Sequence, residues 1–176
     1  SGARAQVLVE RVLATCPRVA RLHLLLRDKR GRAPQDRLAQ LKQSQVFDTI
    51  REQSPEQLEK LSVVPGDITQ PHLGLSHEAI AALREVSLVV HCAATVKMGG
   101  ALAAAAQQNV GSALAMLDVC DQLPNLEALV HVSTAYCNAE RRVIEERVYP
   151  PPVAATTLLA TVAALPEDLL DDITPR

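Results

Sequence analysis

The chain has 176 residues, 48% of them hydrophobic, enough for one cored domain and too many for a disordered tail. A net charge of −2 gives no basic field to hold nucleic acid or an anionic membrane surface, and Phe47, Tyr136 and Tyr149 are too few aromatics for a base-stacking platform. Cys16, Cys92, Cys120 and Cys137 lie scattered, with neither zinc nor disulfide spacing, and read as small buried hydrophobes in a reducing compartment.

In chain order, Val7, Leu8, Val12 and Leu13 share a helical face over Ala5–Thr15, closed by Cys16-Pro17. Leu22–Leu26 has no polar alternation and suits a strand buried on both faces. Pro34–Leu61 is polar with loosely spaced Leu38, Leu41, Val46, Ile50 and Leu58, predicting one or two solvated helices. Leu61–Val64, ending in Pro65-Gly66-Asp67, reads as a second strand. Ser76 is placed to cap a helix with Glu78 in its first turn.

Leu88–His91 is a third strand, running into Cys92-Ala93-Ala94. Leu102, Ala106, Val110, Ala113, Leu114, Leu117 and Cys120 form a long helical stripe, and Ala128–Val132 is a fourth strand ending at Ser133-Thr134. Beyond Asn138 come a charged stretch, Tyr149-Pro150-Pro151-Pro152 and an Ala/Thr/Leu-rich segment whose structure the pattern does not decide. Its run from Val153 to Leu165 is shorter than the roughly 18 to 20 apolar residues that span a bilayer, and Ser1 to Val9 lacks the form of a secretory signal. The alternation predicts an α/β chain with a mostly parallel sheet covered on both faces. Ligands are then expected beyond the strands' carboxyl ends: 27–30, 66–68, 92–94 and Ser133-Thr134.

Five runs, in this order and spacing, resemble the eukaryotic alcohol-forming fatty acyl-CoA reductases of the extended short-chain dehydrogenases. They are Val63-Val64-Pro65-Gly66-Asp67-Ile68-Thr69, His91-Cys92-Ala93-Ala94-Thr95-Val96, His131-Val132-Ser133-Thr134-Ala135-Tyr136-Cys137-Asn138, Tyr149-Pro150-Pro151-Pro152-Val153 and Asp172-Ile173-Thr174-Pro175. The resemblance implies that residues 1–176 are part of a Rossmann-like, doubly wound NAD(P)-binding domain lacking its first strand and its C-terminal part. Ser1-Gly2 is similar to the middle of the family's glycine-rich loop, with Ala5 where a third glycine is expected and Arg4 replacing an apolar neighbour.

Further roles follow from the same resemblance. Arg27, Lys29 and Arg30, with Arg32 nearby, lie where a ribose 2′-phosphate would sit, which favours NADPH. By residue type alone the same cluster reads as a solvated basic turn, and Asp28 as a partner for a 2′-hydroxyl. Asp67 and Ile68 would border the adenine, although Asp67 after Gly66 also reads as a turn residue. Ala93 and Ala94 would line the cofactor channel. Asn109 would support the active-site backbone or a proton relay; the plain alternative is a helix-surface amide. Thr134, or Ser133, would orient a substrate carbonyl.

The implied reaction is NADPH-dependent reduction of long-chain fatty acyl-CoA to a fatty alcohol through an aldehyde. The Tyr-x-x-x-Lys pair that supplies the proton is not in these residues, since Glu140 follows Tyr136 at four places, Val153 follows Tyr149, and no lysine occurs after Lys97. It is expected beyond Arg176, so the segment alone is expected to be inactive. Competing readings are another thioester reductase or an epimerase of the same superfamily, and a catalytically dead nucleotide-binding or scaffold protein. The family places the protein inside the cell, at the cytosolic face of peroxisomal or endoplasmic-reticulum membranes, through a region absent here. In the expected strand order, Leu22–Leu26 and Leu88–His91 lose a shared neighbour. Each unpaired buried backbone group costs about 1 to 3 kcal/mol against a total stability of about 5 to 15, so a marginal, aggregation-prone chain is expected.

Overall fold

The computed structural model describes residues 2–29, 31–97 and 100–174. Helix α1 spans Ala3–Thr15 and buries Val9 and Leu13, one turn apart, before Pro17 ends it. Strand β1, Leu22–Leu26, pairs in parallel with β2, Leu61–Pro65, from Leu22↔Leu61 to Leu26↔Pro65.

Between these strands the chain forms α2 (Pro34–Lys42), a 3₁₀ turn at Gln45–Phe47, α3 (Asp48–Gln53) and a 3₁₀ segment at Pro55–Lys60. The expectation of solvated helices here is corrected: Phe47, Ile50 and Leu58 are 0%, 2% and 6% exposed and build the first core with Val9, Leu13, Leu41 and Leu61. Burying Phe47 and Ile50 contributes about 1.5 to 3 kcal/mol each. Short helical pieces broken by turns present their apolar residues to one core without a long regular period.

After β2 the chain turns through a 3₁₀ segment, Pro71–Gly74, in which His72, Leu73 and Gly74 all have positive φ. Left-handed backbone costs a non-glycine residue about 1 kcal/mol or more. Leu73, 2% exposed, offsets this through burial, and its carbonyl accepts the Asp67 N–H at 2.7 Å. Helix α4, His77–Ala81, follows, with the Ser76 hydroxyl capping the Ala79 N–H as expected.

Strand β3, Leu88–His91, pairs in parallel with β4, Ala128–His131, and the two pairs form separate two-stranded sheets. Among the described residues no strand lies between Leu22–Leu26 and Leu88–His91. A second core, Leu73, Ile80, Val119 and Leu123, touches Leu25 of β1 and Val89 of β3 and so ties the two sheets together. The expectation of full cover on both faces is corrected: Leu88, Val90 and Val130 share one face of the β3–β4 sheet and are 55%, 37% and 47% exposed. The opposite face carries Val89 into the core on which helix α6, Ser112–Cys120, packs.

The long helical stripe is three pieces: α5 (Leu102–Ala106), a π-turn (Gln107–Gly111) and α6. The undecided Ala/Thr/Leu segment folds as α7 (Ala155–Ala164) and α8 (Glu167–Ile173), held to α5 by Ala106, Val162 and Leu170. Of the four cysteines, Cys120 is buried and Cys92 partly so, whereas Cys16 and Cys137 are exposed, which corrects their reading as buried hydrophobes. Cys16 sits directly after α1 and Cys137 in the turn segment 135–140.

Candidate functional site

Most of the predicted positions lie after the carboxyl ends of the four strands. After β1, Gly31 at φ +74° closes a tight turn in which Lys29 and Arg32 exchange backbone hydrogen bonds at 3.2 and 3.1 Å. Arg30 lies outside the described residues, as does Pro175 of the terminal motif. Lys29 is exposed, and so is Arg27, whose Nη1 donates to Asp67 Oδ2 at 3.3 Å. Asp28 is exposed as well. Arg37 of α2 donates from Nη1 to the Arg27 carbonyl at 2.6 Å. The sequence reading missed Arg37, because a lone arginine in a polar helix carries no signal until the fold places it beneath Arg27.

After β2, Asp67 is a turn residue: its Oδ1 accepts from the Thr69 N–H at 3.0 Å and from Thr69 Oγ1 at 2.8 Å. Desolvation pushes its pKa up, but the Thr69 bonds and Arg27 outweigh it and hold the carboxyl below its usual value. Ile68 is half-buried against the second core. Gly66 is required here, since a Cβ would lie 2.6 Å from both the Leu73 carbonyl oxygen and Leu25 Cδ1. At Gly2, by contrast, φ is −71° and a Cβ would meet nothing within 4 Å, so the local geometry makes no demand for glycine.

After β3, Ala93 and Ala94 are exposed and offer small side chains at the strand end. Asn109, inside the π-turn, grips the next residue twice: the Thr95 N–H donates to Asn109 Oδ1 at 2.8 Å, and Asn109 Nδ2 donates to the Thr95 carbonyl at 3.2 Å. A π-turn inserts one residue into the helix and re-aims its neighbours, so this amide faces the loop. Burial pushes the Cys92 thiol up, keeping it protonated.

After β4, Ser133 and Thr134 are exposed. Thr134 Oγ1 accepts from the Tyr136 N–H at 3.2 Å, which leaves the hydroxyl hydrogen for another acceptor, and Ser133 Oγ is 3.4 Å from Cys137 Sγ. The structure thus brings Arg27 to Asp67 and Asn109 to the 92–95 loop. Two surface cavities, about 320 Å³ beside Leu38 and Val63 and about 250 Å³ between α5, α7 and α8, are lined by none of the predicted site residues. No cluster of potential metal ligands occurs among the described residues.

Strand ends carrying a cation, small side chains and a hydroxyl donor suit a nucleotide cofactor beside a carbonyl substrate. Comparison with known proteins points the same way. A family model of NAD-binding domains described as male sterility protein matches residues 1–175. Fatty acyl-CoA reductase 1 of Gallus gallus is 39% identical over 177 residues, covering 100% of this chain and 34% of that protein. The Homo sapiens protein of the same name is 36% identical, and fatty acyl-CoA reductase 2 of Bos taurus 33%, with the same coverage. The chain therefore spans about a third of the length of these relatives. Among solved structures, the terminal R domain of the myxalamid PKS-NRPS pathway superposes with a TM-score of 0.68 at 21% identity, over 92% of this chain and 41% of that one. The PhqB reductase domain of Penicillium fellutanum gives 0.57 at 22%, over 90% and 40%. These two establish the fold as that of the Rossmann-like reductase domains.

Proposed function

This chain belongs to the NAD-binding family of the male sterility protein, and from that premise we propose that the full-length protein reduces long-chain fatty acyl-CoA to a fatty alcohol, through the aldehyde, with NADPH. The substrate class rests on the relatives named fatty acyl-CoA reductase. The chemistry rests on one observation: the Asn109 carboxamide holds the loop after β3 by the backbone N–H and carbonyl of Thr95, so that Ala93 and Ala94 are presented at a fixed strand end.

The residues present fit a nicotinamide dinucleotide. Arg27, braced by Arg37 beneath and Asp67 beside it, offers a guanidinium at the end of β1 where a ribose 2′-phosphate would take it, and Lys29 adds charge nearby. This supports NADPH over NADH. A bound NADPH would supply a hydride at each of two stages, the thioester giving the aldehyde as the coenzyme A thiol leaves and the aldehyde giving the alcohol. Charge then builds on the thioester oxygen, and Thr134, whose Oγ1 already accepts from the Tyr136 N–H, turns its own hydrogen toward that oxygen. Ser133 is the neighbouring hydroxyl able to share the task. The proton that completes the alcohol comes, in this reading, from a Tyr-x-x-x-Lys pair outside these residues.

The same reading places the protein at the cytosolic face of peroxisomal or endoplasmic-reticulum membranes, held there by a segment outside these residues. No helix among the described residues is long and apolar enough to cross a membrane. The test is to express the complete reading frame with NADPH or NADH and palmitoyl-CoA, following cofactor oxidation and lipid product. Fatty alcohol formed with NADPH, and lost on Thr134→Ala, is the expected result. A complete frame that lacks Tyr-x-x-x-Lys and shows no turnover would instead leave a nucleotide-binding protein without catalysis.

A further inference from the structure

One buried polar pair lies behind the loop just described. His91, the last residue of β3, is 3% exposed, and Ser112, the first of α6, is 0% exposed. Ser112 Oγ lies 2.6 Å from the Gln108 carbonyl, to which it donates its only hydrogen. Its lone pairs are left for His91 Nε2 at 3.4 Å, so that nitrogen carries the hydrogen and donates it. A polar pair this deep costs about 1 to 3 kcal/mol if left unsatisfied, a cost that apolar groups of the same shape would not carry.

Its place in the chain indicates its use. Gln108 and Asn109 are consecutive residues of the π-turn. The hydroxyl–carbonyl bond from Ser112 ties the start of α6 to the second residue of that turn, and the imidazole ties the start of α6 to the end of β3. Asn109 then returns from the turn to Thr95, four residues beyond His91. The segment 92–94 is therefore pinned at both ends to one helix, by His91–Ser112 before it and by Thr95–Asn109 after it.

We infer that His91 and Ser112 are positioning residues that hold the π-turn in register with β3, so that Ala93 and Ala94 keep the spacing a nicotinamide cofactor needs. The inference rests on the proposed cofactor site for its consequence, but the two-point attachment stands apart from it. His91→Phe keeps the ring volume and removes the N–H. His91→Gln retains an N–H donor at similar reach, and Ser112→Ala removes the acceptor.

The test is made in the full-length protein with amide hydrogen exchange over 92–97 and with direct nicotinamide cofactor binding. Exchange is expected to quicken, and the cofactor Kd to rise, about five- to ten-fold in His91→Phe and in Ser112→Ala, the loss of one hydrogen bond. The acyl-CoA KM is expected to stay within about two-fold, since these residues brace the cofactor side. His91→Gln is expected to remain near wild type, and the double variant to be no worse than either single one. Unchanged exchange over 92–97 in Ser112→Ala would overturn the inference, and that variant carries the test if His91→Phe fails to fold. Equal loss in the Phe and Gln variants would overturn it too, leaving only packing. A protein that shows the exchange pattern but binds no nicotinamide cofactor would sink the proposed function and leave the attachment standing.

Discussion

Arg27 at the end of β1 and Asp67 at the end of β2 meet across the strand ends, Nη1 to Oδ2, at 3.3 Å. The carboxylate is already occupied on its other oxygen by Thr69, so it aims the guanidinium without enclosing it, and the arginine remains exposed. Arg27→Ala should therefore raise the Kd for NADPH about tenfold or more, as for a charge-assisted bond, and change that for NADH by less than about two-fold. Titration of both cofactors into the two proteins checks it; equal losses would place Arg27 elsewhere than at the 2′-phosphate.

Gly66→Ala is expected to destabilise by about 1 to 3 kcal/mol, the range for forced overpacking. The added methyl meets the Leu73 carbonyl at 2.6 Å, in a turn already left-handed at Leu73, so neither side can yield cheaply. A thermal unfolding midpoint unchanged from wild type would contradict this.

Asn109→Asp keeps the acceptor for the Thr95 N–H but turns a carboxylate oxygen toward the Thr95 carbonyl, where Nδ2 now donates at 3.2 Å. It should lower kcat/KM at least as much as Asn109→Ala, about tenfold. A helix-surface amide would tolerate both, so steady-state rates of the two variants separate the readings.

Stability should fall with acid in two stages. Burial and the neighbouring His131 hold the His91 pKa below its ordinary value. The unfolded chain therefore takes up the proton first, and stability declines as pH drops below about 6.5. Asp67, held low in the fold, loses its contribution only as pH falls from about 4 through its folded pKa. His91→Phe should flatten the upper stage in midpoint-against-pH curves. It should not abolish it, because His23 is also held low by partial burial and Arg21.

Residues 1–176 expressed alone are expected to self-associate. The β3–β4 sheet leaves Leu88, Val90 and Val130 on an open face, and among the described residues neither sheet has more than two strands. Size-exclusion chromatography with light scattering checks this; a monomer with reversible two-state unfolding would contradict it.

The four strands were legible because leucine and valine runs bounded by turns have few alternatives, and the Ser76 cap because its chemistry is local. The break at 107–111 was not, since one inserted residue barely disturbs an apolar stripe that includes Ala106 and Val110. The core role of Phe47 and Ile50 was hidden for a related reason: each sits in a piece too short to show a period. At the site, Asp67 was legible as a turn residue from Gly66 alone. Arg37 and Ser112 were invisible, because the Arg27 carbonyl and the His91 ring that they meet are chosen by tertiary placement.

The parallel pairing of β3 with β4 sets His91 opposite His131, with ring centroids 5.1 Å apart. Because strands can pair only in whole-residue steps, that rung acts as a ruler shared by the loops that leave it. A slip of one residue would offset Ala93 against Thr134 by about 3.3 Å and turn one of the two imidazoles to the opposite face. The proposed hydride transfer would require reacting atoms held within about 3 to 3.5 Å, so no such slip would leave the proposed site working. The distance between the 92–94 loop and the Thr134 hydroxyl is thus counted out in residues, and point substitutions can blur it but not reset it.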